Sequence, residues 1–325
     1  MKLAIIGAGM IVKDYLTMVS DIPEIKLNAI VGVEQDVPTM QELSEKYGIK
    51  KVFTNYEECL KQADIDTVYV ALPNFLHYAY AKKALESGKN VICEKPFTLK
   101  LSEMRELKKL ALDKNLILVE AITNQYLTNY KELKESLKKI GDIKLIECNY
   151  SQYSHRYDAF KEGKILPVFD PKKGGGALMD INIYNIHFIV GILGKPKSVK
   201  YMANIERGID TSGMLILDYG NTKVVCIGSK DTSAKIQTTI QGNAGSVIVN
   251  GPTNVLSDFD INLNNGFSKH VDDKINDHRM YEEFKKFNEL VADHDMDFVK
   301  KELDHSESVM EIVDMALRDA DIQLG

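Results

Sequence analysis

The chain has 325 residues, 41 Lys plus Arg against 47 Asp plus Glu, and a formal net charge of −6. This length suits two ordinary cores, and the acidic balance, with lysine-rich pieces such as KELKESLKK diluted by acids, excludes a nucleic-acid footprint. The cysteines Cys59, Cys93, Cys148 and Cys226 lack CxxC spacing, which argues against a structural zinc site or disulfide framework and for a reducing, cytoplasmic setting.

The opening MKLAIIGAGMIV imitates a secretory leader, but Lys13 and Asp14 follow at once without a small-residue cleavage pattern, so secretion is not expected. From residue 2 to about residue 120, the apolar runs KLAIIGA, KLNAIVGV, TVYVALP, NVICEKP and LILVEAI alternate with helical patterns. That alternation predicts a parallel sheet with helices on its faces. The runs are apolar on consecutive residues, as strands buried on both faces should be. Beyond Gly141 the stretches KLIECNYSQY, SVKYMANIE, GMLILDYGNTKVVCIGS and KIQTTIQGNAGSVIVNG alternate, and the last two carry Gly and Asn where hairpins turn. An antiparallel sheet is expected there. One helix, GALMDINIYNIHFIVGILG, interrupts it; its longest uncharged run has 14 residues, too few to span a bilayer. The helical patterns MYEEFKKFNELVAD and HSESVMEIVDMALRDA close the chain. The expected fold class is therefore α/β: a doubly wound parallel sheet of the Rossmann type in residues 1–120, then an α+β domain in residues 121–325 with a large, mainly antiparallel open sheet. An apolar outer face on that sheet implies a dimer or tetramer.

AIIGAGMIV sets Gly7, Gly9, Met10 and Ile11 directly after the first strand, where a tight turn lets a helix N-terminus face a pyrophosphate. Val12 stands where a third small residue is usual. The ribose-binding acid belongs at the end of the second strand, in AIVGVEQD, and Glu34 is the candidate. No arginine accompanies it, which favours NAD over NADP. A ligand-free turn and a plain solvated Glu34 are the competing readings.

Asp66–Phe97 is more specific. One strand ends in Pro73-Asn74-Phe75-Leu76-His77, a helix ends in Ala84-Leu85-Glu86-Ser87-Gly88-Lys89, and the next strand ends in Glu94-Lys95-Pro96. Further on, GGGALMDINIYNIH (Gly174–His187) opens a helix on glycines. Together these resemble the Gfo/Idh/MocA family, which includes glucose-fructose oxidoreductase, inositol 2-dehydrogenase and dihydrodiol dehydrogenase, over nearly the whole chain. The resemblance implies an NAD(P)-dependent oxidoreductase that interconverts a secondary alcohol and a carbonyl on a sugar, polyol, inositol or related diol. It implies Leu72, Pro73, Asn74, His77, Glu94 and Lys95 around the cofactor, with Lys95 as the base. Burial and the positive charge of oxidised nicotinamide both favour a neutral lysine amine, and Pro96 fixes the chain beside it. Outside that pattern, Glu94 and Lys95 read as an ordinary ion pair at a strand end.

Asp180, Tyr184 and His187 lie at i, i+4 and i+7, which predicts one polar stripe on an apolar helix. Internal hydrogen bonding is the alternative. Under the resemblance Asp180 orients the substrate hydroxyl or Lys95. Tyr184 stands where many members carry a histidine; with an ordinary pKa of about 10, it donates a proton or only positions substrate. His187 is a second acid/base group or a helix residue bonded to backbone. Asn124, Gln125 and Tyr126 occupy the region where the family often has an arginine and an aromatic, and YSHRYDAF (Tyr153–Phe160), with His155 and Arg156, reads as a substrate-facing strand end or loop, or equally as a surface loop. The absence of HExxH-type spacing predicts no catalytic metal. Two other readings remain: a nicotinamide- or sugar-sensing regulator without turnover, and internal redox between two sugars on a tightly held cofactor.

Overall fold

The computed structural model describes residues 1–325. Its first part runs β1 (Lys2–Ile6), α1 (Met10–Met18), β2 (Lys26–Val31), α2 (Val37–Tyr47), β3 (Val52–Phe53), α3 (Tyr56–Gln62), β4 (Thr67–Val70), α4 (His77–Glu86), β5 (Asn90–Glu94), α5 (Leu101–Asp113) and β6 (Leu118–Ala121). There follow α6 (Thr128–Leu137), β7 (Ile143–Ser151), α7 (His155–Lys161), a π-helical turn (Leu178–Asn182) continuing as α8 (Ile183–Leu193), and β8 (Ser198–Glu206). The chain ends with β9 (Ile209–Asp218), β10 (Lys223–Ser229), β11 (Gln237–Gly242), β12 (Gly245–Asn250), β13 (Asp258–Leu263), β14 (Ser268–Val271), α9 (Tyr281–Asp293) and α10 (Met296–Asp319).

Two compact units result, Met1–Ala121 with Met280–Asp304, and Ile122–Arg279 with His305–Gly325. The expected single break near residue 120 therefore differs from the observed division, because Met280–Asp304 returns to the first unit. Aromatic packing explains the return: Phe284 of α9 lies 4.3 Å from the Tyr15 ring and 5.0 Å from Tyr69, and all three side chains are fully buried.

The first unit holds a six-stranded sheet in the order β3-β2-β1-β4-β5-β6, parallel throughout. Residues Val68–Val70 and Val91–Cys93 are wholly buried, as central strands covered on both faces require. The order reverses between β1 and β4. All carboxyl ends lie along one edge, so the crevice outside that reversal is where a ligand belongs. The short β3 was not anticipated.

The second unit holds an eight-stranded sheet in the order β14-β13-β12-β11-β7-β10-β9-β8. It is mainly antiparallel, with one parallel pair, β7 with β10. The turns at Asn221 and Asn243 join the two expected hairpins. In β12 burial alternates residue by residue, the mark of a sheet with one face inward. The segment Pro171–Leu193 is 23 residues long and apolar enough to cross a membrane by length and composition, longer than the 14-residue run suggested, yet 72% of its apolar window is buried inside the protein. Polar bonds tie it to the sheet: Asn182 Nδ2 donates to Cys226 O at 3.1 Å, and Asn185 Nδ2 to Ile227 O at 3.2 Å. Gly228 permits this approach, since a Cβ there would lie 2.7 Å from Asn182 Cβ.

Candidate active site

In the first unit, the turn after β1 needs glycine at position 7. Its φ is +116°, and a Cβ would lie 2.4 Å from Ala71 O. Gly9 is different. Its φ is −77°, and a Cβ would meet nothing within 4 Å, so neither backbone nor packing demands glycine there. The open space beside it would admit a ligand's close approach. Helix α1 starts just beyond, with no side-chain cap and no acid in its first turn, which leaves its N-terminal N–H groups and dipole suited to an anion. Met10 is exposed, Ile11 half-buried and Val12 fully buried. Glu34 is exposed just past the end of β2. These features fit a dinucleotide: a bare helix N-terminus for the pyrophosphate and a carboxylate for ribose hydroxyls.

Leu72, Pro73 and Asn74 follow β4 and reach the surface in part or whole, on the other side of the strand reversal. His77 is fully buried. Its Nδ1 lies 2.8 Å from Pro96 O and its Nε2 2.7 Å from Leu72 O. The ring therefore ties the loop after β4 to the loop after β5, and its nitrogens serve the protein's own carbonyls. Burial holds its pKa below the ordinary histidine value, against the pull of those two carbonyls.

Lys95 is the one residue from Val91 to Leu99 that is not buried. Its neighbours are fixed from several directions. Pro96 O is held by His77, Phe97 N donates to Glu120 Oε1 at 3.0 Å, and Glu94 Oε1 accepts from the Tyr69 hydroxyl at 2.6 Å. Glu94 and Glu120 are 9% and 3% exposed, and the Lys95–Pro96 peptide is cis. The fold thus buries everything around one lysine and presents that lysine at the carboxyl edge of the sheet. Glu120 was missed in the sequence reading, although an acid inside the apolar run LILVEAI was a visible signal.

In the second unit, the predicted stripe divides. The turn Leu178–Asn182 is π-helical, and its wider spacing offsets Asp180 from the 3.6-residue periodicity that put it on one polar stripe with Tyr184 and His187. Asp180 pairs through Oδ2 with Lys230 Nζ. The Asp180 side chain is 34% exposed and that of Lys230 4%. Tyr184 is 9% exposed, its ring 6.3 Å from that of Tyr150. His187 is fully buried, with Nδ1 2.9 Å from His305 Nε2. Burial holds the His305 pKa well below the ordinary value.

Backbone carbonyls of α8 are gripped by side chains from the segment after β6. Asn124 Nδ2 donates to Tyr184 O at 3.0 Å, Gln125 Nε2 to His187 O at 3.0 Å, and the Tyr130 hydroxyl to Phe188 O at 2.6 Å. Asn124 and Gln125, which stand where an arginine and an aromatic are frequent, thus hold the helix that carries Tyr184. At the other end, Asp210 Oδ2 accepts from Leu178 N at 2.6 Å and from the Tyr201 hydroxyl at 2.7 Å. Gly176, with φ +101°, would drive a Cβ to 2.1 Å from Asp210 Oδ1, while a Cβ at Gly175 would lie 2.7 Å from Val168 O, so this buried carboxylate explains Gly176 and the Val168 backbone explains Gly175. Neither Lys230, His305 nor Asp210 left a sequence signal, because each pairs across a long chain separation. His155 and Arg156 are exposed on the short helix α7, not in an extended strand end.

A parallel sheet with a bare glycine turn at its reversal point, and one accessible lysine beside it, define a dinucleotide-dependent oxidoreductase. Comparison with known proteins agrees. The profile of the family described as "Oxidoreductase family, NAD-binding Rossmann fold" matches residues 1–122, and that of the "GFO/IDH/MocA C-terminal domain" matches residues 130–248. The chain is 35% identical over 251 residues to the scyllo-inositol 2-dehydrogenase (NADP+) of Bacillus subtilis strain 168, covering 76% of this chain and 75% of that one. It is 29% identical over 269 residues to the trans-1,2-dihydrobenzene-1,2-diol dehydrogenase of Xenopus tropicalis, with 81% and 78% covered. Among solved structures, a 3-ketoreductase from Actinomadura kijaniata in complex with TDP-benzene and NADP shares the fold at TM-score 0.79 and 19% identity, over 96% of both chains. The chain belongs to the Gfo/Idh/MocA family of oxidoreductases.

Proposed function

We propose that this enzyme interconverts a secondary alcohol and a carbonyl on an inositol, sugar, other polyol or related diol. The observation that carries the reading is Lys95, the single accessible residue in an otherwise buried stretch at the carboxyl end of β5. Nicotinamide, when bound, accepts or returns the hydride. Lys95 moves the proton: its neutral amine takes it from the hydroxyl during oxidation, and its ammonium returns it during reduction. Asp180 orients a substrate hydroxyl, and Tyr184 shares the acid-base work. The burial of His187 against His305 supports a structural part for that residue. Glu34, exposed beyond β2, supports NAD, since its charge repels a 2′-phosphate. The relatives named above act on inositol and on a dihydrodiol, which supports the substrate class.

Turnover is read from the near-ultraviolet absorbance of reduced nicotinamide, with inositols, sugars, polyols and diols offered against NAD and NADP. Lys95→Met should lower kcat by about 10²- to 10⁴-fold while coenzyme still binds. No turnover on any compound, with coenzyme still raising the melting temperature, would favour a sensor instead.

Self-association through the eight-stranded sheet belongs to the same proposal. Met202, Ile205, Met214 and Ile216 of β8 and β9 are exposed by 55, 47, 43 and 39%, an apolar face of the kind that subunits cover. Light scattering at micromolar concentration should report a dimer or tetramer, and a monomer would remove this part. The buried free thiols support a reducing, cytoplasmic setting.

A further inference from the structure

Lys230 follows β10 directly and is held at both backbone ends: its N–H donates to Thr211 O at 2.9 Å, and its carbonyl accepts from Ser154 N at 2.9 Å. Its side chain runs inward. The ammonium lies 5.4 Å over the Phe169 ring, Phe169 stacks on Phe160 at 4.9 Å, and the charge ends on Asp180 Oδ2. The buried carboxylate of Asp210 also feels this charge. Placing an ammonium in such surroundings costs several kcal/mol before pairing, and a buried ion pair is seldom more stable than a well-packed apolar pair of equal size. Stability alone is therefore a poor reason for this lysine. The asymmetry of the pair is more informative. The cation is shut inside the protein, whereas a third of the Asp180 side chain stays exposed. A carboxylate held from below by a fixed cation remains ionised and keeps one orientation, which is what an acceptor for a substrate hydroxyl needs.

We propose that Lys230 is a positioning residue that holds Asp180 as an oriented anion, ready to accept a hydrogen bond from a hydroxyl of the polyol or diol substrate. The proposal rests on the role given to Asp180 above. Because the part given to the lysine in turnover runs through that carboxylate, losses of kcat/KM at the two positions must not add.

The test compares Asp180→Asn, Lys230→Met, Lys230→Arg and the double variant Lys230→Met/Asp180→Asn, with scyllo-inositol and trans-1,2-dihydrobenzene-1,2-diol as probes. Lys230→Met should lower kcat/KM by about 10- to 100-fold through kcat and substrate KM, with coenzyme Kd changed by less than about twofold. Lys230→Arg should recover most of that loss, and the double variant should be no worse than Asp180→Asn. Unchanged kcat/KM in Lys230→Met beside a loss in Asp180→Asn would overturn the proposal, as would losses that multiply in the double variant. If circular dichroism shows Lys230→Met unfolded, the charge-free double variant decides by the same comparison with Asp180→Asn. Full activity in Asp180→Asn would remove Asp180 from the reaction and this proposal with it, while a loss in Lys95→Met would leave the oxidoreductase reading standing.

Discussion

The two units support their chemistry-bearing side chains by opposite means. In the first, Lys95 hangs from a loop whose backbone groups are bonded through buried side chains, His77 to Pro96 O and Glu120 to Phe97 N. In the second, Asp180 and Tyr184 ride on a helical segment that bonds its own backbone, and the side chains of Asn124, Gln125 and Tyr130 add further bonds to carbonyls of α8. A loop carbonyl that loses its side-chain donor in the interior loses its partner; a helix carbonyl that loses one keeps the helix bond. The first arrangement is therefore sensitive to single changes and the second is more tolerant.

The largest effect should come from His77→Ala. It removes the ring from between Pro96 O and Leu72 O, and with it the one hydrogen bond that a neutral imidazole donates to them, at about 1–3 kcal/mol for the buried carbonyl left unsatisfied, and opens a cavity where the ring was packed. Hydrogen exchange over residues 72–97 should accelerate, and kcat should fall because the chain beside Lys95 loses its anchor. Unchanged exchange in that segment would show that the two loops hold their shape without the imidazole, and the contrast drawn above would fail.

That contrast also explains what could be read in advance. The parallel sheet, its glycine turn and the E-K-P strand end were legible because each is a contiguous pattern whose residues stand together in the fold as they do in the chain. The glycines of positions 174–176 were legible as a helix start, but not the cause of Gly176, since Asp210, which a Cβ there would strike, lies more than thirty residues on. The stripe of Asp180, Tyr184 and His187 was legible only as local spacing: periodicity assumes 3.6 residues per turn, the π turn at Leu178–Asn182 offsets Asp180 from it, and the pairing of His187 with His305 lies across a long chain separation. Strands β13 and β14 were missed because DFDINL and SKHV are too polar to resemble buried strands.

A second, smaller effect sharpens the comparison from the side of the tolerant unit. Burial pushes the Asp210 carboxyl up to about 6, against the bonds from Tyr201 and Leu178 N that favour its charge. An acid raised in the folded state gives stability that is whole below the unfolded value near 3.8 and is lost as pH climbs through the folded value near 6. His77 and His305, held low by burial, slope the other way, so the difference between Asp210→Asn and wild type is the quantity to follow. From pH 4 to pH 7 that difference should move in favour of the asparagine variant by about 2–3 kcal/mol. Parallel melting curves across this range would mean that Asp210 is ionised at no cost.

The smallest effect is Asn124→Ala. Asn124 is fully buried and donates to Tyr184 O, but that carbonyl sits in the first turn of α8 and also accepts the helix bond. Its Oδ1 in turn accepts from Gln125 Nε2, which reaches His187 O as well, so losing Asn124 leaves Gln125 still attached to the helix. The expected cost is about 1 kcal/mol, with coenzyme binding unchanged and substrate kcat/KM reduced only as far as Tyr184 shifts. A loss as large as that of His77→Ala would show that α8 depends on its side-chain clamps as the Lys95 loop depends on its own, and that the two units are built alike.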